Sequence, residues 1–182
     1  GGPLIDLGFH VIDLVRYLMG NPKAVSVYGA AFHKLGNREN LKDKKGYTSV
    51  AAKGKDDLCD VEDLAAAMIR FENGAVLSVE TSFSLNIKQD ENNIQLFGTK
   101  GGAKLSPELE IYTEINDYLA DVSLNMPTAL AFEGLFDNEI NHFVDAIIND
   151  RALISPAKDG VEMMKILDAI YRSARTGNEV LL

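Results

Sequence analysis

Cysteine is almost missing: Cys59 is the only one in 182 residues, so no internal disulfide can close and no thiolate zinc cluster can form. A single buried thiol fits a reducing compartment, and the cytoplasm is the expected location. Long apolar runs are also missing, since none approaches the roughly 18 residues of a membrane span. The opening Gly1-Gly2-Pro3 has neither the charged region nor the cleavage signature of a signal peptide. Basic charge is scarce, with 18 Lys and Arg against 27 Asp and Glu. The resulting net charge of −9 argues against a nucleic-acid partner, which needs clustered Lys and Arg. The densest basic stretch, Lys42, Lys44 and Lys45, is broken by Asp43 and followed by Asp56 and Asp57, and reads as a solvated loop. His10, His33 and His142 have no metal-ligand spacing, so no metal site is expected. No G-x-G-x-x-G follows a strand and opens a helix, so the chain has no visible dinucleotide site.

What is present reads as one domain over residues 1–182. Apolar residues at Leu7, Val11, Leu14 and Leu18 give helical spacing from Pro3 to Met19, stopped by Gly20-Asn21-Pro22. Ala24 to Phe32 has strand composition, and 36–60 is a polar, Lys-rich excursion. Leu64 to Phe71, Glu72-Asn73-Gly74 and Ala75 to Phe83 form the clearest hairpin, with Asn-Gly supplying the positive φ angles of a tight turn. A second hairpin runs from Ile94 to Phe97 through Gly98–Gly102 to Ala103–Leu105, and Leu109 to Ile115 alternates like a half-buried strand. Helices follow at Glu139 to Ile148, with Ile140, Phe143, Val144 and Ile147 on one face, and at Pro156 to Arg175. Glu179 to Leu182 could add a closing strand.

Strands joined by short turns pair antiparallel. The expected fold is therefore α+β: one large, mostly antiparallel sheet with helices packed on one face. Leu64, Met68, Ile69, Leu77 and Val79 make these strands too apolar for a bare second face, which points to a homodimer or tetramer through the open sheet.

In the first helix Asp6, His10, Asp13 and Tyr17 are spaced i, i+4, i+7 and i+11, and so share one face. The neighbouring stripes, Leu7–Val11–Leu14–Leu18 and Ile5–Phe9–Ile12, are apolar. The expectation is a mostly buried helix with one narrow ionisable stripe. A carboxylate one turn from an imidazole can fix its tautomer and orientation, which suits a proton-transfer pair. His10 is the candidate base and Asp6 its partner. The same spacing also describes the plain solvent face of an amphipathic helix. His33, near a strand end, reads as an exposed polar residue, and His142 as a structural or surface histidine. Gly98, Gly101 and Gly102 lie between two strands and open no helix, so a hairpin turn explains them better than a phosphate cradle.

The run from Gly1 to Asp13, with Asp6, Gly8 and His10, continued to Leu18-Met19-Gly20, resembles the signature of the Gfo/Idh/MocA oxidoreductases, the glucose-fructose oxidoreductase and inositol dehydrogenase group. Asp60-Val61-Glu62-Asp63 leading to Arg70-Phe71-Glu72-Asn73-Gly74-Ala75 resembles that family's central hairpin, and Phe97-Gly98-Thr99-Lys100-Gly101 its next turn. Phe143 to Ile147, Asp159-Gly160 and Ala169 to Ala174 resemble its C-terminal helices. Nearly the whole chain is covered except 34–58 and 112–135.

The resemblance implies a two-domain parent: an N-terminal Rossmann domain carrying NAD or NADP and a Glu-Lys-Pro lysine, then the α/β domain represented by this chain. It implies oxidation of a CH–OH group in a sugar, cyclic polyol or related alcohol to a ketone or lactone, with hydride passing to the nicotinamide. His10 and Asp6 match the family's catalytic and substrate-binding positions, and Asp13 a recurrent one with an orienting or structural role. Because the Rossmann fingerprint and Glu-Lys-Pro are missing here, this chain alone is expected to bind no cofactor and to be inactive. Two alternatives stay open: a non-catalytic binding or regulatory relative of the same fold, and a dimerisation module.

Overall fold

The computed structural model of the chain describes residues 1–35, 59–105, 108–124 and 134–182. Most of the excursion expected over 36–60 therefore lies outside the described residues. Three helices and eight strands are present among them. Every strand pairing is antiparallel, which gives the expected α+β class. The strands form two four-stranded sheets, where the sequence led to the expectation of a single large one.

The first compact unit combines residues 1–86 with 157–182. It opens with a wide, π-type turn, Leu4–Gly8, running directly into α1, Phe9–Leu18. Three strands follow: β1, Ala24–Phe32; β2, Leu64–Phe71; β3, Val76–Ser82. The unit closes with α3, Ala157–Thr176, and the short strand β8, Val180–Leu181. The sheet order is β3-β2-β1-β8, so the last strand lies beside the first.

Alternation within the strands divides the sheet into two faces. Val27, Ala65, Ala67, Ile69, Phe71 and Val79 point to one side and pack against Met163, Ile166, Leu167 and Ile170 of α3. Ile69, Met163 and Ile170 are fully buried. Gly29 lets α3 come close: a Cβ there would stand 2.9 Å from Ile170 Cγ2 and 3.1 Å from its carbonyl oxygen. On the opposite side Tyr28, Phe32, Met68 and Val76 are all exposed, with Tyr28 directly opposite Met68. Ile69 and Val79, expected among the residues of an open face, instead belong to the helix-covered side.

The β2–β3 hairpin falls where the sequence places it, but its turn differs in kind. Only Gly74 has positive φ, at 85°. The Gly74 amide donates to the Phe71 carbonyl at 2.9 Å, so the connection is a three-residue loop ending in a left-handed glycine.

The second unit covers 87–156. Its strands are β4, Gln95–Gly98; β5, Gly101–Lys104; β6, Glu110–Ile115; and β7, Tyr118–Val122, paired in that order. The β6–β7 turn is Asn116-Asp117, with φ 51° and 66°. Helix α2, Leu135–Asn149, starts after Gly134 at φ 81° and ends at Asp150 at φ 49°. Its face bearing Ile140, Phe143, Val144 and Ile147 is exposed in this chain. Among the described residues no helix is long and apolar enough to cross a membrane.

Candidate functional site

The residues with chemical potential in the opening motif sit on the wide turn and α1. In that turn the Phe9 amide donates to the Leu4 carbonyl, five residues back. This hydrogen-bonding pattern is rare, short, and frequent at functional positions. Gly8 permits it against β3: a Cβ there would lie 3.4 Å from Thr81 Cγ2 and 3.0 Å from Leu4 Cδ1.

Asp6 and His10 are both exposed, as is Tyr17, while Asp13 is half-buried. All four thus reach the accessible side of this segment. Among the described residues no hydrogen bond or ion pair joins Asp6 to His10. The His10 ring instead meets the Phe9 ring edge-on, with centroids 5.9 Å apart.

The expected narrow ionisable stripe on a mostly buried helix is corrected by the burial pattern. Leu4, Ile12, Val15 and Arg16 are buried, but Ile5, Leu7, Leu14 and Leu18 are exposed. The segment is covered on one side only, and the wide turn shifts the register of everything before Phe9. Stripes drawn with a uniform 3.6-residue period therefore do not run straight through it. The outcome is a broad exposed face in which Asp6 and His10 stand among apolar side chains.

Two acidic residues that sequence reasoning passed over hold this segment and its surroundings. Glu62 is 4% exposed. Its Oε1 accepts the Leu4 amide at 3.0 Å and the Tyr171 hydroxyl at 2.9 Å. Burial, then the bond to Glu62, hold the Tyr171 hydroxyl well above the usual tyrosine range. Asp63, 5% exposed, accepts the amides of Lys34 and Leu35. Its own amide donates to the Phe32 carbonyl at 2.7 Å and its carbonyl accepts the Phe83 amide at 3.1 Å. The available signal was the pair of acids immediately before the most apolar strand, since buried carboxylates persist only when satisfied.

The other candidates are placed elsewhere. His33 is exposed just after β1. His142, on α2, is half-buried and its Nε2 accepts the Ile154 amide at 3.1 Å, a structural role. Gly98 and Gly101 flank the β4–β5 turn, as the hairpin reading expects. Cys59 is exposed and not the buried thiol expected. No group of three or more His, Cys, Asp or Glu among the described residues could hold a metal ion.

With that geometry in place, the comparisons define the class. The family model described as the oxidoreductase family, C-terminal alpha/beta domain, matches residues 1–182, and the chain belongs to this Gfo/Idh/MocA family. Among curated proteins it is 33% identical over 183 residues to D-glucoside 3-dehydrogenase of Escherichia coli K12, covering 100% of this chain and 49% of that protein. Among solved structures, levoglucosan dehydrogenase in complex with NADH and L-sorbose superposes with a TM-score of 0.76 at 26% identity, over 100% of this chain and 50% of that one. Aldose-aldose oxidoreductase from Caulobacter crescentus, complexed with glycerol, gives 0.71 at 22% identity over 100% and 48%, a likeness of fold. The chain thus spans about half the length of the relatives it matches.

Proposed function

We propose that this chain is the substrate-side half of an NAD(P)-dependent oxidoreductase acting on the CH–OH group of a sugar, cyclic polyol or related alcohol. The observation that carries this reading is the joint exposure of Asp6 and His10 on one short segment of a domain belonging to an oxidoreductase family. The relatives named for glucoside and levoglucosan oxidation support a carbohydrate substrate.

The described residues do not fit a dinucleotide. Every strand pairing is antiparallel, and the glycine-rich segment lies inside a hairpin. No strand–glycine turn–helix crossover is available to cradle a pyrophosphate. The nicotinamide cofactor therefore belongs to a Rossmann domain outside these residues, and that domain would cover Leu7, Leu14 and Leu18 on the exposed side of α1.

This chain's share of the chemistry is the proton. A neutral His10 imidazole takes the proton of the reacting hydroxyl, and Asp6 orients the substrate or the ring. Catalytic hydrogen bonds are often unformed before substrate arrives, which accommodates the lack of a bond between Asp6 and His10 among the described residues. Asp13 lies farther along the same helix and serves as an orienting residue. The exposed sheet face around Tyr28, Phe32 and Met68 serves self-association.

The test is nicotinamide absorbance at steady state on the full-length protein, with a panel of sugars and polyols and both NAD and NADP. His10→Ala is expected to lower turnover by about 10²-fold or more. Undiminished turnover in that variant would remove His10 from the chemistry, and a wild type inert on every substrate would favour a non-catalytic binding role.

A further inference from the structure

Resting on the reading that the face bearing Asp6 and His10 is the reactive one, we infer that Glu62 is a positioning residue, fixing the start of the helix that presents both side chains. A π-type turn needs its surroundings to hold it, because its hydrogen-bond pattern is uncommon and does not propagate. The first amides of a helix have no acceptor within it. Here the Leu4 amide finds one in a carboxylate 58 residues away, at 3.0 Å. A negative group at that end also suits the helix dipole.

Glu62 is itself buried and held by a second hydrogen bond. It is 4% exposed, the Tyr171 hydroxyl of α3 donates to it at 2.9 Å, and Gly2 leaves it room. A Cβ on Gly2 would stand 2.3 Å from Cδ and from both carboxyl oxygens. One carboxyl group thereby joins α3, the approach to β2 and the first turn of the chain. Being buried, Glu62 acts through the segment and not on substrate. Asp6 follows Leu4 by two residues and His10 by six, so a shift of the turn's start moves both together. A displacement of about 1 Å at a reacting group costs about 10²-fold in rate.

The experiment uses the full-length protein with Glu62→Ala, Glu62→Gln, Tyr171→Phe and, for reference, His10→Ala. Kinetics are paired with hydrogen exchange at the Leu4 amide. A glutamine side chain keeps an acceptor oxygen. Glu62→Gln should therefore stay within about 3-fold of wild-type kcat, while Glu62→Ala loses about 10-fold or more with a smaller change in KM. Leu4 exchange should accelerate by about 10-fold or more in the alanine variant and not in the glutamine one. Affinity for NADH, read by its fluorescence, should be unchanged, which general unfolding would not give.

Wild-type kcat and wild-type Leu4 exchange in Glu62→Ala would overturn the inference, and so would a glutamine variant as impaired as the alanine one. If Glu62→Ala does not fold, Glu62→Gln and Tyr171→Phe decide: the first near wild type, the second impaired with faster Leu4 exchange. Full turnover in His10→Ala would refute the reading of the site, and Leu4 exchange would then still decide whether Glu62 anchors the turn.

Discussion

The Ser173 hydroxyl accepts the Gly29 amide at 2.8 Å and donates to the Asn178 carbonyl at 2.7 Å. A fully buried α3 side chain thus satisfies one group of β1 and one of the loop leading to β8. Ser173→Ala leaves both without a partner. The expected loss is about 2 kcal/mol, since each buried orphan carries a desolvation penalty. Urea denaturation of the purified protein, wild type beside variant, measures it; a change within error would mean that water replaces the hydroxyl.

Arg16 presents the opposite case. It is 1% exposed, its Nε donates to the Pro22 carbonyl at 3.3 Å, and Nη1 is buried without a hydrogen-bond partner among the described residues. Burying a charge is costly unless it is fully paired, and apolar replacements of similar volume are often neutral or better. Arg16→Met is expected to leave stability unchanged or raise it by about 1 kcal/mol. A fall of about 2 kcal/mol or more in thermal or urea unfolding would contradict this.

Tyr171 gives the fold an alkaline limit. Its folded-state value is raised above the ordinary value of about 10, by burial first and by Glu62 second. The folded chain therefore holds this proton more tightly than the unfolded one. The stabilisation is complete below pH of about 10 and is lost as pH climbs beyond it. Thermal midpoints between pH 8 and 11 should fall less steeply at the alkaline end in Tyr171→Phe than in wild type. Parallel curves would rule the linkage out.

The Asn116-Asp117 turn holds two non-glycine residues at positive φ. Asp117→Gly removes the steric penalty at φ 66° and should stabilise the β6–β7 hairpin by about 0.5 kcal/mol or more, net of the added freedom of the unfolded chain. Differential scanning calorimetry is the check, and a lowered midpoint would count against it.

If the outer sheet face mediates self-association, a charge at its centre should interfere. Met68 is 54% exposed and Tyr28 55%, directly opposite each other. Met68→Glu should shift the full-length protein to smaller species in light scattering while leaving its circular dichroism intact. An unchanged mass would place the interface elsewhere.

Local chemistry decided how much of this was legible in the sequence. Glu72-Asn73-Gly74 between two apolar runs located a hairpin to within a residue, although the turn type depended on Asn73 keeping negative φ. Strand β7 escaped notice because its turn, Asn116-Asp117, lacks the glycine that usually marks positive φ. Asp6 and His10 are both exposed, but the wide turn at Leu4–Gly8, which no periodicity encodes, undid the neat stripes drawn through them. Glu62 was illegible as an anchor since its partners, Leu4 and Tyr171, stand 58 and 109 positions away. Contacts of that range leave no pattern in a local window.

The order of synthesis gives the arrangement of the first unit a further consequence. Strands β1 to β3 are made before the helix that covers their apolar face, which begins at Ala157, after the whole second unit. A nascent chain carries Val27, Ile69 and Phe71 uncovered while some seventy intervening residues, 87–156, are still being added. Closing such long-range contacts is slow, and exposed apolar sheet is the substrate of aggregation. Pausing of translation within 87–156 is therefore expected to favour aggregation of this chain.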